Sequence, residues 1–119
     1  MCEMRLRATL LLLVLLGTAL TSIAVTSTAW ADDPPEFAVT FLGDRFEPAD
    51  VVVPVDVKVA LRIENKSTVA MEWESPTLHR EKVVPPGSTT RIYIGPLRAG
   101  SYEYFDDFHP QIRGHVVAR

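Results

Sequence analysis

The sequence predicts an all-β chain folded as an antiparallel Greek-key β-sandwich, and three observations carry that prediction. Short segments of alternating apolar and polar residues recur through the last two thirds of the chain, about eight of them at 8–12-residue spacing. Nine prolines fall mostly at the ends of these segments, where a missing N–H does least damage to a sheet. No segment after residue 31 shows the 3.6-residue period of an amphipathic helix.

The first 31 residues read differently. Arg5 and Arg7 precede a long apolar run from Ala8 to Val25, and Ala29-Trp30-Ala31 supplies an A-x-A cleavage signal before acidic Asp32-Asp33. That is the pattern of a secretory signal peptide over residues 1–31, and it predicts a periplasmic or secreted protein cleaved near Ala31. An uncleaved anchor is the alternative, since the run is about long enough to span a bilayer. Residues 32–36 form a flexible lead-in, and residues 37–119 form one domain.

Cleavage after Ala31 removes 31 of the 119 residues and leaves 88. Glu3, Arg5 and Arg7 leave with the segment, so the remainder carries 10 basic and 14 acidic side chains, a net charge of −4. Without a basic stripe, nucleic acid is excluded as a partner class. The sole cysteine, Cys2, also leaves. The domain therefore has no disulfide, no thiolate nucleophile, no zinc–cysteine cluster and no blue-copper thiolate. Nor does it contain a Ser-His-Asp order, a phosphate-binding glycine loop or an HExxH helix, so it is not expected to be an enzyme.

Taken in order, Phe37, Val39 and Phe41 form the first strand face, and Gly43-Asp44 makes a turn. Phe46-Glu47-Pro48 leads into Val51-Val52-Val53. Val57, Val59, Leu61 and Ile63 alternate with Lys58, Ala60, Arg62 and Glu64, the clearest strand in the chain. Asn65 to Thr68 is loop, and Met71 to Glu74 alternates again. Lys82 to Val84 and Thr89 to Ile94 are two further strands, separated by Pro85-Pro86-Gly87. Gly100 to Val117 then reads as a strand through Tyr102 and Tyr104, a loop holding Asp106, Asp107, His109 and Pro110, and a closing strand restarted by Gly114.

That last stretch carries a resemblance. Gly100, Tyr102, Tyr104, His109, Gly114 and Val116-Val117 match the ligand loop of the cupredoxins in its amicyanin-type spacing, with Asp106 where the copper-binding cysteine stands and Ile112 where the methionine stands. Counting from Asn65, the place of the upstream ligand histidine is taken by Met71. Phe46-Glu47-Pro48 with Val51 and Val53 is similar to the family's second strand. The resemblance covers nearly all of the domain and implies a cupredoxin-like sandwich. It also implies that a type 1 copper centre cannot form, because three of the four ligands differ.

A narrower resemblance is to cupredoxin-like domains associated with elemental-iron uptake. It lies in Met71 to Ser75, Arg80 to Val84, Gly95-Pro96-Leu97 and Phe105 to Phe108. It implies an exported accessory protein, expected to be a monomer, that binds an iron or copper ion and passes it to a membrane iron permease or a periplasmic partner protein.

Two ligand sets stand open. Strand parity places Met71 and Asp106 inward with His109, a mixed set suited to copper. An acidic set of Glu72, Asp106, Asp107 and His109 is harder and suited to iron, provided a bulge turns Glu72 inward. Each residue also has a plain structural reading. Asp106 can accept backbone N–H groups of the following loop, Met71 can be core, and Glu72 and Glu74 can be a solvated strand face. His79 has no motif around it, and His115 is a reserve ligand on an exposed face. The contrasting functional class is a metal-free interaction module that kept the sandwich and lost its ligands.

Overall fold

The structure, a computed structural model, describes residues 32–119. The expected signal segment and its cleavage site, residues 1–31, lie outside the described residues. Nine strands are present among the described residues: β1 Glu36–Phe41, β2 Phe46–Glu47, β3 Asp50–Val53, β4 Val59–Asn65, β5 Met71–Ser75, β6 Arg80–Val84, β7 Thr89–Ile94, β8 Gly100–Asp106 and β9 His109–Ala118. They form two sheets, one in the order β2-β1-β4-β7 and one in the order β3-β9-β8-β5-β6. Among the described residues there is no helix.

The sandwich is as expected, and the strand directions add a detail. Most neighbours are antiparallel, but β1 pairs with β4 in parallel and β3 pairs with β9 in parallel. The cause is the route of the chain, which passes back and forth between the sheets instead of closing successive hairpins. From β1 and β2 it crosses to β3 and returns to β4, so β1 and β4 lie side by side only after a crossover. Periodicity within a strand carries no information about such a partner.

Alternation sorts side chains as the sequence requires. Met71, Trp73 and Ser75 of β5 are buried, while Glu72 and Glu74 between them are half-buried on the outer face. β4 begins at Val59 instead of Val57, because Asp56 adopts a φ of 57° in a turn that leaves Val57 exposed. At the other end, Pro35 of the lead-in accepts a hydrogen bond from the Ala60 amide at 2.9 Å, and Glu36 belongs to β1.

An aromatic chain spans the sandwich. Phe41 and Phe46 of one sheet lie 5.4 Å apart, and Phe46 meets Tyr104 of the other edge-on at 5.0 Å. Tyr104 stacks on Trp73 at 5.1 Å. Rings of this kind each remove roughly 150–250 Å² from water on burial, worth roughly 4–6 kcal/mol apiece before the entropy of ordering them. With no cysteine in the domain, packing of this sort carries the stability that disulfides supply elsewhere.

Two polar devices fix the strand ends. Buried Asn65 uses its whole amide: Nδ2 donates to the carbonyls of Val69 and Val84 at 2.8 and 2.9 Å, and Oδ1 accepts from the Ser67 amide and hydroxyl at 2.9 and 2.7 Å. This ties the end of β4 to the crossover before β5 and to the end of β6. The Tyr104 hydroxyl donates to the Ala49 carbonyl at 2.8 Å, and the His115 amide donates to the same oxygen at 2.9 Å. Burial pushes the Tyr104 phenol well above its ordinary value, with the nearby Asp50 charge adding to the shift. Gly114 sits beneath this contact, where a methyl group would overlap the Ala49 carbonyl oxygen and the Tyr104 ring.

Gly114→Ala is therefore expected to lower stability by about 2–3 kcal/mol, the upper part of the usual range for overpacking, because the overlap is partly with backbone. Tyr104→Phe is expected to lose about 1 kcal/mol, because Ala49 keeps its bond from His115. Equilibrium denaturant unfolding of the two variants measures both, and a larger loss from Tyr104→Phe than from Gly114→Ala contradicts this ordering.

Candidate metal centre

The candidate site is built where β5 meets the turn between β8 and β9. β5 and β8 pair with Trp73 opposite Asp106, and a register shift follows Phe105. Tyr104 and Asp106 share the inward face of β8, and both are fully buried. A buried carboxylate needs partners, since an uncompensated charge in the interior is strongly unfavourable. Asp106 has three. Its Oδ1 accepts from the Glu72 amide at 2.9 Å and from the Phe108 amide at 3.1 Å, and its Oδ2 meets His109 Nδ1 at 3.0 Å.

This bonding shapes the turn. The expected loop from Asp106 to Pro110 is a two-residue turn of Asp107 and Phe108, and β9 starts at His109 instead of near Gly114. The Asp106 carboxylate closes the turn by binding the amide two residues ahead, the Asx-turn arrangement. The Asp107 amide completes the join by donating to the Glu72 carbonyl at 2.8 Å. Asp106, Asp107, Glu72 and His109 thus form one hydrogen-bonded unit.

A carboxylate at Asp106 requires a proton on Nδ1 of His109. The imidazole is 45% exposed, and Nε2 has no hydrogen-bond partner among the described residues. This is the arrangement in which a carboxylate orients a histidine whose second nitrogen is free to bind a metal. Met71 lies fully buried in the core, as does Trp73, and Ile112 belongs to the same core cluster. The Glu72 side chain turns to the outer face, away from Met71; only its backbone reaches Asp106. The sequence-derived residues therefore separate into a joined pair, Asp106 with His109, an adjacent Glu72, and Met71 within the core.

On the outer face Glu72 meets two further acids. Carboxylate oxygens of Glu72, Glu74 and Asp107 lie within 4.8 Å of one another. Reduced solvation on the strand face raises the Glu72 carboxyl above its ordinary value, helped by the charges of Asp107, Glu81 and Asp106. Glu74 is raised the same way, by reduced solvation first and then by Asp107, Glu81 and Glu72. Glu81 stands opposite Glu74 on β6. From the sequence Glu74 reads as a solvated strand face, and no motif there singles out Glu81. The signal was the i, i+2 spacing of Glu72 and Glu74 on one face; what was missing was that Asp107 folds back across β5.

A family model for the cupredoxin-like domain matches residues 10–118. The chain belongs to the cupredoxin-like domain family. Over 78 residues it is 41% identical to an uncharacterized protein of Rickettsia prowazekii, covering 66% of this chain and 62% of that protein, so the match spans less than two thirds of the relative's length. Among solved structures, the metal-binding domain of the Streptococcus pneumoniae Cu(I)-exporting P-type ATPase, with Cu(I), gives a TM-score of 0.64 at 10% identity, covering 76% of this chain and 90% of that one. Auracyanin A, a blue copper protein from Chloroflexus aurantiacus, gives 0.61 at 16% identity, covering 72% and 99%. An amicyanin in its reduced Cu(I) form gives 0.57 at 17% identity, covering 76% and 87%. At these identities the structural likeness is one of fold.

The donors in this cupredoxin-like domain do not fit a type 1 copper centre. That centre needs a thiolate, and Asp106 at the matching place has both oxygens engaged with Glu72, Phe108 and His109. Ile112 offers no donor atom, and Met71 stands in a packed core.

The raised glutamates set a pH dependence. A carboxyl whose folded value lies above its unfolded value binds more protons in the folded state over the interval between them. Stability of the metal-free protein is therefore expected to fall as pH rises from the ordinary glutamate value of 4.5 through the raised folded values. Glu72→Gln and Glu74→Gln are each expected to flatten that slope and raise Tm at pH 7. Thermal unfolding across pH 4–8 checks this (roughly the range over which these carboxyls change charge), and an unchanged slope in both variants contradicts it.

Proposed function

We propose that this cupredoxin-like domain is an exported accessory protein that binds a transition metal as cargo, without type 1 copper chemistry, in iron or copper acquisition across the cell envelope. The observation that carries the reading is the pairing of His109 with buried Asp106 on the β8–β9 turn, directly joined to Glu72. In this reading His109 Nε2 is the nitrogen donor and Asp106 orients it, while Glu72, Glu74 and Asp107, a group that does not include His109, supply hard oxygen donors on the other face of β5. Oxygen-rich donors favour iron over the Cu(I) that thiolate and thioether sites select. The copper proteins of similar fold support a metal-related role.

The signal-peptide pattern supports export, and the net charge of −4 after cleavage suits a carrier of cations. The recipient is a membrane iron permease or a periplasmic partner protein. Nothing in this role requires turnover of a substrate, so the protein is a carrier and not an enzyme.

The experiment is a titration of the purified protein with Cu(II), Fe(II) and Fe(III). Loss of a residue that merely orients a metal ligand weakens affinity by roughly 10–100-fold, so His109→Ala is expected to lose at least that much. Glu72→Gln combined with Glu74→Gln is expected to weaken iron uptake more than copper uptake. Absence of uptake by the wild type leaves the metal-free interaction module as the function, whereas uptake unchanged in His109→Ala contradicts His109 as the nitrogen donor. The complete hydrogen bonding of Asp106 is the observation that favours that second reading.

A further inference from the structure

The mismatch with a copper centre is itself informative. A metal ion in such a site does structural work, because its ligands come from separate strands and the ion holds them together. Here the place of the copper-binding cysteine holds a side chain that also reaches three separate segments. Asp106 Oδ1 receives the amide of Glu72 at the start of β5 and the amide of Phe108 in the turn, and Oδ2 holds His109 at the start of β9. Met71 and Ile112, at two other ligand places, are core residues that close the region with apolar contacts. Among the described residues the one buried side-chain nitrogen or oxygen without a hydrogen-bond partner is Trp73 Nε1, an N–H group that is no metal ligand, on a ring stacked against Tyr104.

We infer that the Asp106 carboxylate has taken over the structural role of a metal at this end of the sandwich. It ties β5, the β8–β9 turn and β9 together in the metal-free state. The turn then has its final conformation before any ion arrives, and an ion held through His109 enters and leaves without refolding it. This last statement rests on the metal-binding reading above; the tie itself does not. The energetics agree, since hydrogen bonds to a charged acceptor are the stronger kind and a buried carboxylate is tolerated only when they are all made.

The test compares the wild type, Asp106→Ala and Asp106→Asn by thermal unfolding and by exchange of the Glu72 and Phe108 amides, before and after EDTA. The wild type is expected to keep its Tm and its protection of both amides after chelation. Asp106→Ala is expected to lose about 10–20 °C in Tm and to exchange both amides at least about tenfold faster. If Asp106→Ala does not fold, Asp106→Asn decides. It keeps an oxygen for the two amides and loses the charge-assisted hydrogen bond from His109 Nδ1, so protection persists while Tm falls by a smaller amount. A wild-type Tm that drops on chelation overturns the proposal, as does an Asp106→Asn variant as stable as wild type. Failure to take up Cu(II) or Fe(III) removes the carrier function and leaves the tie standing. Uptake that raises protection at Glu72 and Phe108 overturns the exchange without refolding.

Discussion

The carboxylate of Asp106 is shared among three segments, and the end of the sandwich is arranged so that this sharing is complete. A charge at zero exposure is tolerated because two backbone amides and an imidazole surround it. Those partners in turn fix what they belong to. The Glu72 amide sets the register of β5 against β8, the Phe108 amide limits the turn to two residues, and His109 is held at the first position of β9. Removing one of these bonds leaves a buried charge short of a partner, so the three act as a unit. The aromatic chain through Phe46, Tyr104 and Trp73 supplies the apolar floor on which this polar cluster stands.

The same turn presents two chemistries on its two sides. Inward, the Asp106 carboxylate has its hydrogen bonds satisfied and is buried at the end of the core. Outward, Asp107 joins Glu72 and Glu74, and both glutamate carboxyls are raised, by reduced solvation first and then by the neighbouring acids. Strand alternation is responsible: successive residues face opposite ways, so adjacent aspartates at the end of β8 divide between a structural role and a surface role. On this cupredoxin-like scaffold the interior end holds a carboxylate with its hydrogen bonds complete, and the accessible carboxylates lie on the outside.

Much of this is visible in the residues themselves, and the exceptions have definite causes. The face assignments of Met71, Glu72, Trp73 and Glu74 follow from alternation alone. The alternating run before Asn65 marks β4, though its start at Val59 depends on the left-handed turn at Asp56, which only the fold imposes. The parallel pairings of β1 with β4 and β3 with β9 are tertiary facts with no local signature. The short β8–β9 turn was hidden because its length depends on where the Asp106 side chain finds its amides. Glu74 and Glu81 gained significance only when Asp107 and β6 were placed beside them.

The tautomer of His109 tests the account most directly. With Asp106 as a carboxylate bonded to Nδ1, the ring must carry its proton there and present an unprotonated Nε2. Nitrogen-15 chemical shifts of the imidazole in metal-free protein, at a pH where the ring is neutral, read this without any substitution. The account predicts a protonated Nδ1 and a bare Nε2. A ring protonated on Nε2, or shifts averaged between the two forms, would show that Asp106 does not hold His109 and would contradict it.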